Sequence, residues 1–313
     1  MSVVSPSSPL TRGDLGCALA VIVIWGLNFV VMKLGLQTLS PMVLGALRFM
    51  CASLPFLLFV RPPAIPWRFV VAYGLAQGLG QFGFLFLGLR LGMTAGMASV
   101  VMQTQAFFTL ILAVALLGER ARAPQWAGLA LAFGGLLVIA TGHGEGALQM
   151  TLAGFVLTLC AAFMWAVSNL VARKAAQVAP GYAPFAFVVW SSLVPIVPFW
   201  GLAGWLEGWS GVQAQLLAMD GKAVFAVVYL ALLATLLAYS LWTRLLQRHA
   251  AGRVTPFSLF VPVVGLVAAM QVLGEQPTLW QWLGTAAVLI GMVVNQGLLR
   301  WPARRVGRAP VRS

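Results

Sequence analysis

Carboxylates are scarce in this chain: six Asp and Glu stand among 313 residues, against 19 Lys and Arg, and charged residues make up only 8%. A water-soluble domain carries about 25% charged residues because its surface must face solvent, so a soluble fold is excluded. The acids are Asp14, Glu119, Glu145, Glu207, Asp220 and Glu275, and each falls at or beyond the end of an apolar run. None stands where a proton relay through a membrane core would need one, and the two histidines, His143 and His249, fall in loops as well. No nucleophile–base–acid set can be assembled in the membrane from so few groups, and no P-loop or metal-ligand spacing occurs. Cys17, Cys51 and Cys160 are scattered inside apolar runs and give no disulfide framework. Neither catalysis nor a cofactor is expected.

What the chain has instead is apolar length. Hydrophobic residues make up 61% and the mean hydropathy is +0.95. A span needs about 20 apolar residues, and continuous runs such as 15–31 indicate helices rather than barrel strands. Ten spans are expected, near 15–36, 42–60, 69–90, 94–117, 124–141, 151–171, 183–205, 223–243, 255–273 and 279–299. Prolines and glycines such as Pro41, Pro62, Pro124 and Gly142 mark the breaks. No cleavable signal peptide precedes the first span, which reads as an uncleaved helix.

The net charge of +13 belongs to topology rather than to nucleic acid. With both termini cytoplasmic, Arg12, Arg61, Arg68, Arg120, Arg122, Arg173, Lys174, Arg244, Arg248, Arg253 and the tail arginines from Arg300 to Arg312 all fall inside. Only Arg90 and Lys222 fall in outer loops. Anionic lipid is the partner such a surface takes.

The chain also repeats itself. Leu117-Gly118-Glu119 and Gln125-Trp126-Ala127-Gly128 recur in one ungapped register as Leu273-Gly274-Glu275 and Gln281-Trp282-Leu283-Gly284, together with Tyr73/Tyr229, Ala95-Gly96/Ala251-Gly252 and Gly135/Gly291. Trp25…Asn28 corresponds to Trp165…Asn169 with one inserted residue. The fold class expected is an all-α polytopic membrane protein of ten helices in two five-helix repeats, residues 14–140 and 151–299, with a basic cytoplasmic tail at 300–313. An odd count per half makes the second half enter from the opposite side, so the repeats are inverted. Such duplication is the usual chassis of a secondary transporter.

The runs Trp25–Lys33 (WGLNFVVMK), Leu47–Met50 (LRFM), Gln103–Thr109 (QTQAFFT), Gly118-Glu119 and Val261–Leu266 (VPVVGL) resemble the EamA branch of the drug/metabolite transporter superfamily. The closest resemblance is to bacterial exporters of amino acids and cysteine-pathway metabolites. It implies a bacterial inner-membrane carrier with both termini cytoplasmic.

Polar side chains inside spans mark the candidate cavity, because they seldom face lipid. Trp25, Asn28, Gln77, Gln81, Gln103, Trp165, Asn169, Tyr239 and Arg48 are the candidate substrate-binding residues. Tyr73, Gln77 and Gln81 share one face at i,i+4 spacing. Gln103 and Gln105 are two apart, so one is expected to face the cavity and the other a neighbouring helix. Amides and indoles suit a neutral or zwitterionic solute. Each could equally be interhelical glue. Lys33 lies about 27 Å along the first helix and is expected to snorkel outward. For Arg48, a substrate carboxylate and a clamp on helix-end carbonyls are both open. Thr255-Pro256 is expected to cap helix nine, and the two Ala-Gly junctions suit a rocking motion. Small amino acids and close derivatives fit best: cationic drugs want a buried acid, and phosphorylated sugars want several cations. A drug exporter of the same superfamily is the alternative carrier, and a membrane lipid enzyme the alternative class. The sequence leaves monomer or dimer undetermined.

Overall fold

A computed structural model describes residues 11–119, 121–142, 149–249 and 251–297. The expectations for Arg120, His143, Glu145 and the tail from Arg300 onward lie outside the described residues. Among the described residues all regular structure is helical. Eight helices are long and apolar enough to cross a membrane: α1 Arg12–Gly35, α3 Trp67–Arg90, α4 Ala95–Leu116, α5 Ala123–Thr141, α6 Leu152–Val178, α7 Pro184–Leu217, α8 Gly221–Leu245 and α9 Pro256–Leu273. Two shorter apolar helices, α2 Pro41–Leu57 and α10 Leu279–Asn295, accompany them.

Local chemistry sets the ends. Thr11 and Asp14 form a capping box at α1, as Thr278 and Gln281 do at α10. Ser40 caps α2 with Pro41 in the first turn. Asp220 accepts from the Ala223 amide at the start of α8. Gly118 and Gly274 close α4 and α9 in the left-handed region, at φ 66° and 67°.

Three elements differ from expectation. Helix α6 continues to Val178, and α7 runs on to Leu217 through a turn near Pro195 and a break at Gly208, φ 70°. Trp205 and Trp209 flank that break. Thr255 does not stand at a helix start: residues Ala251–Val254 already coil, and Thr255–Phe260 continue as a 3-10 stretch into Val261–Leu273. Pro256 and Pro262 lack the amides an α-helix would use there.

The duplication is visible in the backbone. Residues Gly74–Gln81 of α3 and Tyr229–Leu237 of α8 both widen into π-helix, at repeat-equivalent places. Such bulges concentrate at functional sites. Helices α5 and α10 meet backbone to backbone. A Cβ on Gly284 would lie 2.5 Å from Gly135 O, and one on Gly291 2.6 Å from Gly128 O. Gly128 faces Gly291 while Gly135 faces Gly284, so these equivalent helices run antiparallel. Small residues permit this approach where lipid offers no hydrophobic drive.

Candidate functional site

A cavity of about 550 Å3 lies between residues of both repeats. It begins deep, at Ser99 and Met102, and reaches the ends of α6, α8 and α10 at Tyr182, Thr243 and Gln296. Those ends lie on the side where α1 starts: His249, just past α8, has Nε2 3.0 Å from Asp14 Oδ2. Trp25, Asn28, Gln81, Gln103, Trp165, Asn169, Tyr239 and Arg48 all line it. Of the candidates named from the sequence, Gln77 alone does not. Arg48 is the one charged residue among the described lining. Tyr182 lies in the α6–α7 loop, where burial pushes its phenol above the usual value and keeps it neutral.

Arg48 is 1% exposed. Its Nε and Nη2 donate to Thr235 Oγ1 at 3.2 and 2.9 Å, and its guanidinium carbon sits 3.7 Å from the Phe82 ring centroid. The π winding of α8 serves this contact, since Thr235 Oγ1 in turn donates to Leu230 O, five residues back, at 2.8 Å. A stacked guanidinium shares its charge with the ring face, yet Nη1 has no partner. Lys33 behaves differently from the snorkelling expected of it. Its Nζ donates to Leu89 O at 3.2 Å and Met93 O at 2.6 Å. Leu89 is in the last turn of α3, where carbonyls lack partners within their own helix, and Met93 is in the turn that leads on to α4.

Aromatic edges form one wall. Trp25 packs 5.1 Å from Tyr239 and 5.6 Å from Trp242, centroid to centroid, and its Nε1 donates to Ala234 O at 3.1 Å. Gln77 stands behind this wall: its Nε2 donates to Tyr239 Oη and its Oε1 accepts from Ser168 Oγ, both at 2.6 Å. Gln103 and Gln105 both reach the cavity, contrary to the one-face argument. Met102–Thr104 is a 3-10 turn, which advances each residue about 120° rather than 100°, bringing the two side chains nearer one side. Asn169 Nδ2 then donates to Gln105 Oε1 at 2.7 Å.

At the far end from the opening, Glu275 is 5% exposed and its carboxylate accepts from the amides of Ala95 (2.6 Å) and Gly96 (2.8 Å), the first turn of α4. A carboxylate at a helix N-terminus is favoured both by the free amides and by the dipole. Its repeat mate Glu119 is exposed and pairs instead with Arg173.

The EamA-like transporter family matches residues 12–141 and again residues 152–296. The chain belongs to that family. A Salmonella typhimurium protein named "Probable amino-acid metabolite efflux pump" is 42% identical over 286 residues, covering 91% of this chain and 95% of its own. An Escherichia coli K12 protein of the same name is 41% identical over 292 residues, covering 93% and 97%. A solved crystal structure with 20% identity shares the fold, at TM-score 0.62 over 96% of this chain and 100% of that one. This EamA-like chain is thus a multi-pass membrane transporter and not an enzyme.

In this EamA-like transporter, sequence reasoning missed Ser99, Gln296 and the contact of Glu275 with the start of α4. An isolated serine or a helix-end amide gives no periodic signal. Gln77 reads from spacing as cavity-facing, but the structure makes it a strut. Gln77→Leu should cost roughly 1–2 kcal/mol of stability by taking the partner from Tyr239 Oη, Ser168 Oγ keeping Trp165 O, and should lower substrate affinity only modestly. Thermal unfolding in detergent beside a binding assay checks this, and a large affinity loss at unaltered stability would return Gln77 to the wall.

Proposed function

We propose that this protein exports amino acids and closely related small metabolites across the bacterial inner membrane by alternating access. The observation that carries the reading is a cavity of about 550 Å3 lined by amides, indoles and one buried cation, with no carboxylate in its described lining. That volume is within the usual range for small-molecule sites, about 300–1,000 Å3. The lining suits a solute with a negative end and an apolar body. The names of the Salmonella and E. coli relatives agree with such a cargo. A dedicated exporter of cationic drugs would want an acid in the wall.

The mechanism rests on two inverted five-helix halves, 14–140 and 151–299, with α2 and α10 spanning beside the eight longer helices. The termini are cytoplasmic, so the cavity faces inward. Outer closure then comes from Glu275 holding the start of α4. After the halves rock, Glu119 exchanges Arg173 for the amides of Ala251 and Gly252 while Glu275 lets go, and the cavity opens outward. The nine residues Trp25, Asn28, Arg48, Gln77, Gln81, Gln103, Trp165, Asn169 and Tyr239 serve the cargo, Gln77 by bracing Tyr239.

Counterflow of labelled amino acids through the purified carrier in liposomes tests the assignment. Labelled amino acid should exchange into loaded vesicles, and Trp25→Ala and Trp165→Ala should each slow it about tenfold, equivalent to roughly 1.4 kcal/mol. No exchange with any amino acid, by protein that is folded and inserted, would overturn the cargo.

A further inference from the structure

Four residues lining the cavity carry a buried polar atom with no hydrogen-bond partner, and beside Gln296 Oε1 at the end of α10 a set of three stands together: Arg48 Nη1, Asn28 Oδ1 and Gln81 Oε1. One is a cationic donor and two are acceptors. They come from neighbouring helices, and Gln81 directly precedes Phe82, the ring on which Arg48 stacks. All three side chains are more than nine-tenths buried. Buried polar atoms are nearly always satisfied, because leaving one bare costs free energy, and an unpaired buried cation costs most.

From this set we infer that Arg48, Asn28 and Gln81 form a subsite for the charged backbone of a free α-amino acid. The inference rests on the cavity being the transport site. Arg48 Nη1 takes the carboxylate, and the amide oxygens of Asn28 and Gln81 take the ammonium. The complementarity is specific. A carboxylate accepts from a guanidinium with a charge-assisted bond, while an ammonium offers three donors and needs acceptors. With no carboxylate in the described wall, neutral oxygens and the indole face of Trp25 must hold the ammonium. Asn28 makes one other side-chain contact, a long one from Nδ2 to Met32 Sδ at 3.9 Å, so its oxygen is not committed elsewhere. Thr235 and Phe82 fix the guanidinium from two sides and leave Nη1 over. The amino-acid side chain then lies against Trp165 and Tyr239, where apolar area rather than shape decides, so one backbone subsite serves several cargoes.

The test measures binding to purified carrier in detergent of L-alanine, L-leucine and L-phenylalanine, each beside its C-terminal amide and its deaminated acid. At least one free amino acid should bind, with its amide about 30-fold weaker for want of the carboxylate. Arg48→Gln should bring acid and amide to equal affinity, and Arg48→Lys should restore their order. Should Arg48→Gln fail to fold, the wild-type ligand series decides alone, joined by Asn28→Ala, which should weaken the free amino acid and leave the deaminated acid unaffected. A free amino acid and its amide binding equally to the wild type would overturn the subsite while leaving the carrier assignment standing. Exchange of no amino acid at all would remove both.

Discussion

Leucine in place of Gly284 should leave little folded carrier in the membrane. A Cβ there would lie 2.5 Å from Gly135 O and 2.6 Å from Ile139 Cγ1, and a backbone oxygen cannot rotate away as a side chain can. Overpacking a close contact costs about 1–3 kcal/mol even where neighbours yield, and here the whole of α10 would have to withdraw from α5. Gly134→Leu is the matched control, because nothing lies within 4 Å of its added Cβ. Thermal unfolding in detergent should show Gly284→Leu far less stable than Gly134→Leu. Equal melting temperatures would mean the α5–α10 contact does not hold the halves together.

The second large effect is conformational. Glu275→Ala removes two charge-assisted acceptors from the first turn of α4, each bond worth about 1.5–3 kcal/mol. Loss of roughly 2.7 kcal/mol moves a two-state equilibrium about a hundredfold. Spin labels at exposed Leu91 and Gln276, flanking the contact, should report a longer distance in Glu275→Ala than in the parent. Glu119→Ala should leave that distance short, since Glu119 holds nothing at this end. An unchanged distance in Glu275→Ala would remove the carboxylate from the gating scheme.

Much of this architecture was legible in the residues, for a physical reason. Most helix lengths follow from apolar runs, although α6 and α7 run past theirs, and several ends follow from caps such as Thr11, Ser40 and Thr278, which act within four residues. The repeat register was legible because Gly118-Glu119 and Gly274-Glu275 are strings, and the structure gives both glycines the same left-handed backbone. The polar residues of the cavity stood out against lipid-facing neighbours. What stayed hidden were pairings across the chain. Nothing local says that Arg48 meets Thr235, that Lys33 meets the end of α3, or that Glu275 meets Ala95. Winding was hidden too: the 3-10 turn at Met102–Thr104 brings Gln103 and Gln105 to one cavity, where regular α geometry sends them apart.

The close contact of α5 with α10 bears on where such a carrier could bend. Beside the touching glycines, Ala132 and Ile139 of α5 and Ala287 and Asn295 of α10 fill the gaps between the backbones, and Asn295 and Gln281 hydrogen-bond across the pair. In the proposed cycle these two helices then travel as one piece, and the sliding falls to the other helices.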